Sequence, residues 1–457
     1  MNLRSSIQDS PVQTSDAISA RTNDEGTPIR IRAVSIPLVF RSLVVPLLFN
    51  HSLILFLRTP FNVVSHEYHR KGLKATPEPE RRPTTRWILL RIGMVSKFGI
   101  PDGLCVRANA VLKGLLDNGH VVHAFTHSKN VSLLPPERIH RFSGFQMNPH
   151  LSFDAPHTPR TIAQMCRRIG IDLLDVQMNS GTTEFLLPLF KQSLPPLVVT
   201  YHLAYSTVGS FVGTAFNIAG KASLFASKSY DAIILVHALY EPVFLRNGVP
   251  KSKLHVIPNG VDTSLFTPRA HQKNDNTVDF IYVGRLSVDK GVHILIDAFR
   301  EYQKENPMSR LTLIGDGLLK SMLTGRDQNR SIRWLGNVDH SLVPSFLKEA
   351  DVFVAPMTIG PLTASLSVLE AMSCGLPVIA ANVAGANHLL SPSEGLLVKP
   401  ESVPAVVEGM RLLARDESFR LSLGKQCREK ILREYSWKRQ IGLIEDVYRQ
   451  LIDHRSR

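Results

Sequence analysis

Short apolar runs recur along the chain, each ending in polar or turn residues, and stretches with helical spacing separate them. Residues 87–95 (WILLRIGMV) suit a buried strand. Residues 104–118 suit a helix whose buried face is Leu104, Ala108, Val111, Leu112 and Leu115, with Asn118-Gly119 as its stop. Val121–Thr126 is the next strand, and the alternation continues at 171–176, 197–202 and 232–236. After Pro258-Asn259-Gly260, which is turn chemistry, a second series begins. Its strands are 278–283, 311–314, 332–335 and 350–355, and its first helix carries Val292, Leu295, Phe299 and Tyr302 on one face, with Asp289 placed to cap it. Helices are expected at 403–414, 417–434 and 441–452, the last with an apolar face of Leu443, Val447 and Leu451. Repeated strand–helix order gives parallel α/β sheets. Two Rossmann-like α/β domains facing each other across a cleft follow, with an N-terminal extension over 1–86, domains over 87–262 and 263–435, and a final helical segment over 436–457.

One stretch, 356–380 (PMTIGPLTASLSVLEAMSCGLPVIA), has a different texture. A loop rich in Gly, Pro, Thr and Ser feeds a short helix with Leu366, Leu369 and Met372 as its stripe, closed by Gly375 and Pro377 before a buried strand. Free backbone N–H groups at such a helix start attract anions. Ser365, Leu366 and Ser367 supply that start, and Glu370 sits one turn inside. Ser367-x-x-Glu370 also spells a capping box, so Glu370 has two readings: ligand contact, or helix capping alone.

Composition narrows the partners. The 457 residues exceed one ordinary core and are globular in make-up, with 44% hydrophobic and 20% charged residues. A formal net charge of +14 favours an anionic partner, although a generally basic protein would show the same balance. Cys105, Cys166, Cys374 and Cys427 are scattered without a CxxC pair, which fits buried free thiols in a reducing compartment better than a disulfide framework or a zinc site. Residues 1–28 read as a disordered tail, with Asp9, Asp16, Asp24 and Glu25 unlike a transit peptide. Residues 31–64 are strongly apolar but broken by Arg41, Pro46, Asn50, His51 and Arg58, and no charge-free span reaches the roughly 20 residues of a membrane-crossing helix. Three readings stay open there: an amphipathic segment in a membrane interface, an arm packed on the first domain, or an extension upstream of the true start.

In doubly wound sheets ligand contacts gather at the carboxyl ends of strands. His202 ends one run (PLVVTYH) and His237 another, each with loop hydrogen bonding as the plain alternative. The loop after 278–283 reads Gly284-Arg285-Leu286-Ser287-Val288-Asp289-Lys290-Gly291. A planar guanidinium fork and an ammonium flanking a helix start have the composition of a diphosphate clamp, though a solvated loop can carry the same residues. The first loop holds only Gly99 and Gly103, so no dinucleotide fingerprint is present.

Taken in order, VIPNGVD, VGRLSVDKG, LIGDG, LGNV, ADVFVAP and LEAMSCGLPVIA resemble the retaining GT-B glycosyltransferases of family 4, from about residue 89 to 452 and most densely after 256. The resemblance implies that a nucleoside-diphosphate sugar serves as donor substrate in the interdomain cleft, without a metal or other cofactor. Arg285 and Lys290 resemble the pair that holds the donor diphosphate, with Gly284 beside them. Glu370 resembles the second Glu of E-x7-E, which takes the ribose hydroxyls, and His202 the first-domain histidine near the donor sugar and acceptor. The last helix is implied to cross back onto the first domain. Where the family has the first Glu of E-x7-E this sequence has Leu362, and 356–369 holds no carboxylate. The GGxxE pattern is altered to Ala384-Gly385-Ala386-Asn387-His388, and the first-domain glycine pair is reduced to Asp102-Gly103.

The expected activity is retaining transfer of a hexosyl unit to a glycan, lipid-linked or small acceptor. The alternatives are a GT-B-like protein that binds nucleotide-sugar or glycan without transfer, and an epimerase on the same fold. The expected setting is cytoplasmic, with peripheral membrane contact through 31–64 and no nucleic-acid partner.

Overall fold

The computed structural model describes residues 89–455, apart from 99–102, 129–130, 149–150, 178–180, 203–223, 271–276, 326–329 and 359–364. The N-terminal arm, Trp87, Asp102 and Leu362 therefore lie outside the described residues. Two parallel sheets organise the rest. The first contains β1 (Arg91–Val95), β2 (Val121–Thr126), β3 (Ile139–Arg141), β6 (Leu173–Gln177), β7 (Leu197–Tyr201), β8 (Ala232–Leu235) and β9 (Leu254–Val256), in the order β3-β2-β1-β6-β7-β8-β9. A separate antiparallel hairpin, β4 (Gly144–Asn148) with β5 (Leu151–Asp154), falls between β3 and β6 in sequence. The second sheet contains β10 (Phe280–Val283), β11 (Leu311–Ile314), β12 (Ile332–Gly336), β13 (Val352–Ala355), β14 (Val378–Ala381) and β15 (Gly395–Val398), ordered β12-β11-β10-β13-β14-β15.

Both sheets are doubly wound, and in each the strand order reverses at one place: between β1 and β6 in the first, between β10 and β13 in the second. The strands read as continuous apolar runs because both faces are covered. Successive residues of β10 show why: Phe280 and Tyr282 enter one core cluster and Ile281 the other, on the opposite face. The longer helices that cover these faces are α1 (Gly103–Asp117), α2 (Thr158–Ile169), α3 (Val292–Gln303), α4 (Leu366–Ser373), α5 (Val403–Arg415), α6 (Glu417–Lys430) and α7 (Trp437–Arg455).

The chain passes from the first sheet to the second through 257–262 and returns through 435–437. These two passages bond to each other: the Val261 N–H donates to the Tyr435 carbonyl at 2.8 Å, and the Trp437 N–H to the Val261 carbonyl at 3.1 Å. The return delivers α7 onto the first sheet. Ile441, Ile444, Val447 and Tyr448 share one buried cluster with Ile92, Met94, Val111 and Leu115, so the last helix packs on the first sheet. Its buried face differs in detail from the expected one, since Leu443 and Leu451 are only partly buried. The 417–434 helix is also corrected: α6 ends at Lys430 and a π-helical turn, Ile431–Tyr435, follows.

Candidate functional site

The strand order sets where a ligand site can form. In an open parallel sheet the loops leaving the two strands at the reversal diverge to opposite faces and leave a crevice. In the second sheet the two departures are 284–291, after β10, and the stretch that leaves β13 at 356–358 and reaches α4 at Ser365. They contain or lead directly into the second-domain residues expected to hold the donor: Gly284, Arg285 and Lys290 from one, and Ser365, Leu366, Ser367 and Glu370 at the start of α4 from the other.

The two loops are fastened together. The Thr358 N–H donates to the Asp289 carbonyl at 3.0 Å, and its hydroxyl to the Val288 carbonyl at 3.2 Å. Gly291 makes this contact possible: it is left-handed (φ 67°), and a Cβ there would lie 1.9 Å from the Pro356 carbonyl oxygen. Gly291 also stands at the N-cap of α3, which corrects the capping role expected of Asp289. Asp289 instead accepts from the Ser287 hydroxyl at 2.6 Å and faces the Arg285 guanidinium at 3.5 Å. The Arg285 side chain is 67% exposed, so this surface pairing leaves it open to another anion. Lys290 is half-buried. Burial, the largest influence, pulls its ammonium below the usual lysine range, with Asp289 opposing and Arg285 adding to the shift.

At α4 the capping-box reading of Glu370 falls away. The N-cap is Ser365, its side chain makes no cap hydrogen bond, and Ser367 lies inside the first turn with its hydroxyl 3.1 Å from that of Ser365. Glu370 is buried and accepts a 2.7 Å hydrogen bond from His340 Nε2, which holds the imidazole above the ordinary histidine range. His340 follows β12, and nothing in the linear sequence joins it to a residue thirty positions later. The expected apolar stripe of α4 is also corrected. Leu369 and Met372 are buried, but so are Val368, Ala371 and Ser373, and Leu366 is only half-buried. Leu366, Glu370 and His340 line a cavity of about 660 Å³ with Lys113, Asp262 and Trp437, whereas Arg285, Lys290 and His202 do not line it.

The carboxyl edges of the two sheets face each other. A Cβ on Gly103, which opens α1 after β1, would lie 3.6 Å from Leu366 Cδ1. At the other flank His237, just past β8, packs so tightly on the loop after β14 that a Cβ on Gly385 would sit 2.6 Å from its Nε2. His237 Nδ1 accepts from the Leu239 N–H at 2.9 Å, the loop hydrogen bond expected of a lone histidine. Burial, with His388 nearby, drops its pKa to about 4. His202 follows β7 directly, and its Nε2 lies 3.1 Å from Gln177 Oε1. Burial and then the positive charge of Arg107 keep its ring well below the ordinary histidine range.

A polar cluster lies beneath His202. Asp175 interrupts the apolar run LLDVQ of β6, a signal that was available; Gln177, Arg107 and Tyr448 join it only through the fold. The four cysteines are buried free thiols, as expected. Among the described residues no helix is long and apolar enough to cross a membrane.

Two facing Rossmann-like sheets with their carboxyl-edge loops opposed define the GT-B class of glycosyltransferase fold. Sequence comparison agrees in both halves: the Glycosyltransferase Family 4 model matches residues 101–265, and the Glycosyl transferases group 1 model matches 265–430. The chain belongs to this family, the group 1 or family 4 glycosyltransferases. Among curated proteins it is 25% identical over 202 residues to glycogen synthase of Mycobacterium tuberculosis, covering 43% of this chain and 48% of that protein. It is 29% identical over 246 residues to the Escherichia coli UDP-Gal:alpha-D-GlcNAc-diphosphoundecaprenol alpha-1,3-galactosyltransferase, covering 50% and 62% respectively. The chain thus spans about half the length of these curated relatives. Among solved structures, Anabaena HepE in complex with UDP superposes with a TM-score of 0.63 at 18% identity, over 79% of this chain and all of that one.

Proposed function

We propose that this chain is a retaining glycosyltransferase that moves a hexosyl unit from a nucleoside-diphosphate sugar to a glycan, lipid-linked or small acceptor. The observation that carries the reading is the fastening of the Arg285–Lys290 loop to the loop that opens α4, at the strand reversal of the second sheet. Diphosphate departure gathers negative charge, and prearranged donors at that place lower its energy. Arg285 offers a fork, Lys290 a point charge that binding of an anion would return toward its ordinary basicity, and the uncapped α4 start offers backbone N–H groups. Glu370, oriented by His340, accepts ribose hydroxyls. His202 stands on the opposing edge, beside the transferred sugar. The UDP complex of the structural relative and the lipid-diphosphate acceptor named for the E. coli relative support a nucleotide donor and an acceptor at a membrane surface. On that reading residues 87–262 form the acceptor domain and 263–435 the donor domain of a cytoplasmic protein, with residues 31–64 giving peripheral membrane contact.

A second reading, binding of nucleotide-sugar or glycan without transfer, is favoured by one observation: Leu362 stands where a sugar-facing carboxylate belongs. Incubating the full chain with UDP-, GDP- and ADP-sugars and a membrane extract, and following nucleoside diphosphate release, separates the two. Release with one donor, lowered at least about 100-fold by Arg285→Ala and by Lys290→Ala, is the expected result. Nucleotide binding without release from any donor would favour the second reading, and unchanged rates in both variants would remove the clamp. Vesicle flotation with and without residues 1–86 tests the arm; equal flotation would refute its membrane role.

A further inference from the structure

A buried chain of hydrogen bonds runs from the last helix to His202. Asp175, on β6, has no solvent exposure, and its Oδ2 accepts from Tyr448 Oη of α7 at 2.8 Å and from Gln177 Nε2 at 2.8 Å. The same Gln177 amide nitrogen reaches Thr200 Oγ1 at 3.2 Å, and Gln177 Oε1 lies 3.1 Å from His202 Nε2. Arg107, buried completely, spends Nη1 on the Pro258 carbonyl and Asn259 Oδ1, both at 3.1 Å, and lies over the Trp437 ring.

Each link dictates the next. An ionised carboxylate only accepts hydrogen bonds, so the group Gln177 turns toward Asp175 must be its NH2. That choice removes the ambiguity of the amide and leaves the carbonyl oxygen toward His202. The carbonyl oxygen also only accepts, so His202 Nε2 must carry a proton. Arg107 supplies positive charge near both ends: it favours the ionised form of Asp175 and disfavours a second proton on His202. A neutral ring protonated on Nε2 carries its lone pair on Nδ1.

We propose that Tyr448, Asp175 and Gln177 are positioning residues that lock His202 as the Nε2–H tautomer, with Nδ1 a hydrogen-bond acceptor at the edge of the cleft. The helix that crosses back from the second domain thereby sets the chemistry of a first-domain residue: His202 can take a proton or hydroxyl hydrogen bond through Nδ1 and cannot donate one there. Its consequence for turnover rests on the proposed place of His202 beside the transferred sugar; the tautomer itself does not.

The test is long-range proton–nitrogen NMR on the full chain with nitrogen-15-labelled histidine near pH 8, where Asp175, raised by burial to a pKa of about 6, is ionised. The His202 ring is assigned by the signal lost in His202→Asn. A pyrrole-type Nε2 and a pyridine-type Nδ1 are expected, with Gln177→Leu moving both shifts toward the average of a mixed ring. Tyr448→Phe, which keeps the buried ring, should move them in the same direction by less, and supplies the result if Gln177→Leu does not fold. Gln177→Leu should also lower kcat about tenfold or more with KM for donor little changed. A wild-type ring protonated on Nδ1, or shifts untouched in both variants, would overturn the proposal. Correct shifts with no turnover of any donor would leave the tautomer standing and sink the transferase reading instead.

Discussion

His340 and Glu370 carry a pH dependence that can be measured without any substrate. The Glu370 contact raises the imidazole above its ordinary value, so the folded state binds that proton more tightly than the unfolded chain does. The stabilisation is therefore fully present below about pH 6.5, the unfolded histidine value, and disappears as pH rises through the folded value. His340→Gln should cost stability at pH 6 and little at pH 8.5, read as the shift in urea midpoint. A deficit that stays constant between the two would mean that packing, not the charged pair, accounts for it. His202 is the opposite case: burial and the Arg107 charge hold its ring well below the ordinary histidine range, so its NMR shifts should be flat from pH 8 down to about 7, above the titration of Asp175 and where an ordinary imidazole already begins to titrate.

Two glycines decide how elements meet. Gly291 brings the start of α3 against the end of β13, where a Cβ would meet a backbone carbonyl that has no rotamer to escape to. Gly291→Ala should lower stability by about 1–3 kcal/mol from the left-handed backbone alone, and part the two loops. Nucleoside diphosphate affinity should fall with it, and an unchanged dissociation constant would separate the fastening from the binding site. Gly385 is also left-handed (φ 77°), but its obstacle is the His237 ring of the opposite lobe. Gly385→Ala is expected to disturb the closure between lobes as well as the local turn. The double variant with His237→Ala should recover the lobe contact and leave only the backbone strain, a difference visible in a double-mutant melting cycle.

At the level of the whole molecule, the crossing helix is the part on which the first sheet depends for a covered face. Ile441 is buried and presses on α1, where a Cβ on Gly114 would lie 2.5 Å from its Cγ1. Ile441→Ala should cost about 2–5 kcal/mol, the range for a buried aliphatic side chain that leaves a cavity. The melting temperature reports it. A change within 1 °C would show that α7 is dispensable to the first domain, contrary to its place in that core.

The strands of both sheets were legible because buried parallel strands are continuous apolar runs, and so were the loops at their carboxyl ends, whose glycines and charges stand out against them. The GRLSVDKG loop and the start of α4 could be found by reading along the chain, since each is a contiguous stretch with its own composition. Other elements hid: the 139–154 strands (IHR, GFQMN and LSFD) mix polar with apolar residues, and β15 (GLLV) offers only three apolar residues in a row. What the linear order could not hold is any pairing across the fold. Asp289 has the right spacing to cap a helix and does not, because Gly291 is drawn against Pro356; Ser367 and Glu370 spell a capping box that never forms, because the helix is capped at Ser365 and Glu370 bonds His340 instead. The sequence alone determines two Rossmann-like halves and the two loops that flank the reversal of the second sheet. Only tertiary structure decides that those loops are fastened, that Glu370 is held by a histidine, and that His202 is tied to the far end of the chain, because hydrogen bonds between distant strands depend on sheet order and helix return, which no local pattern encodes.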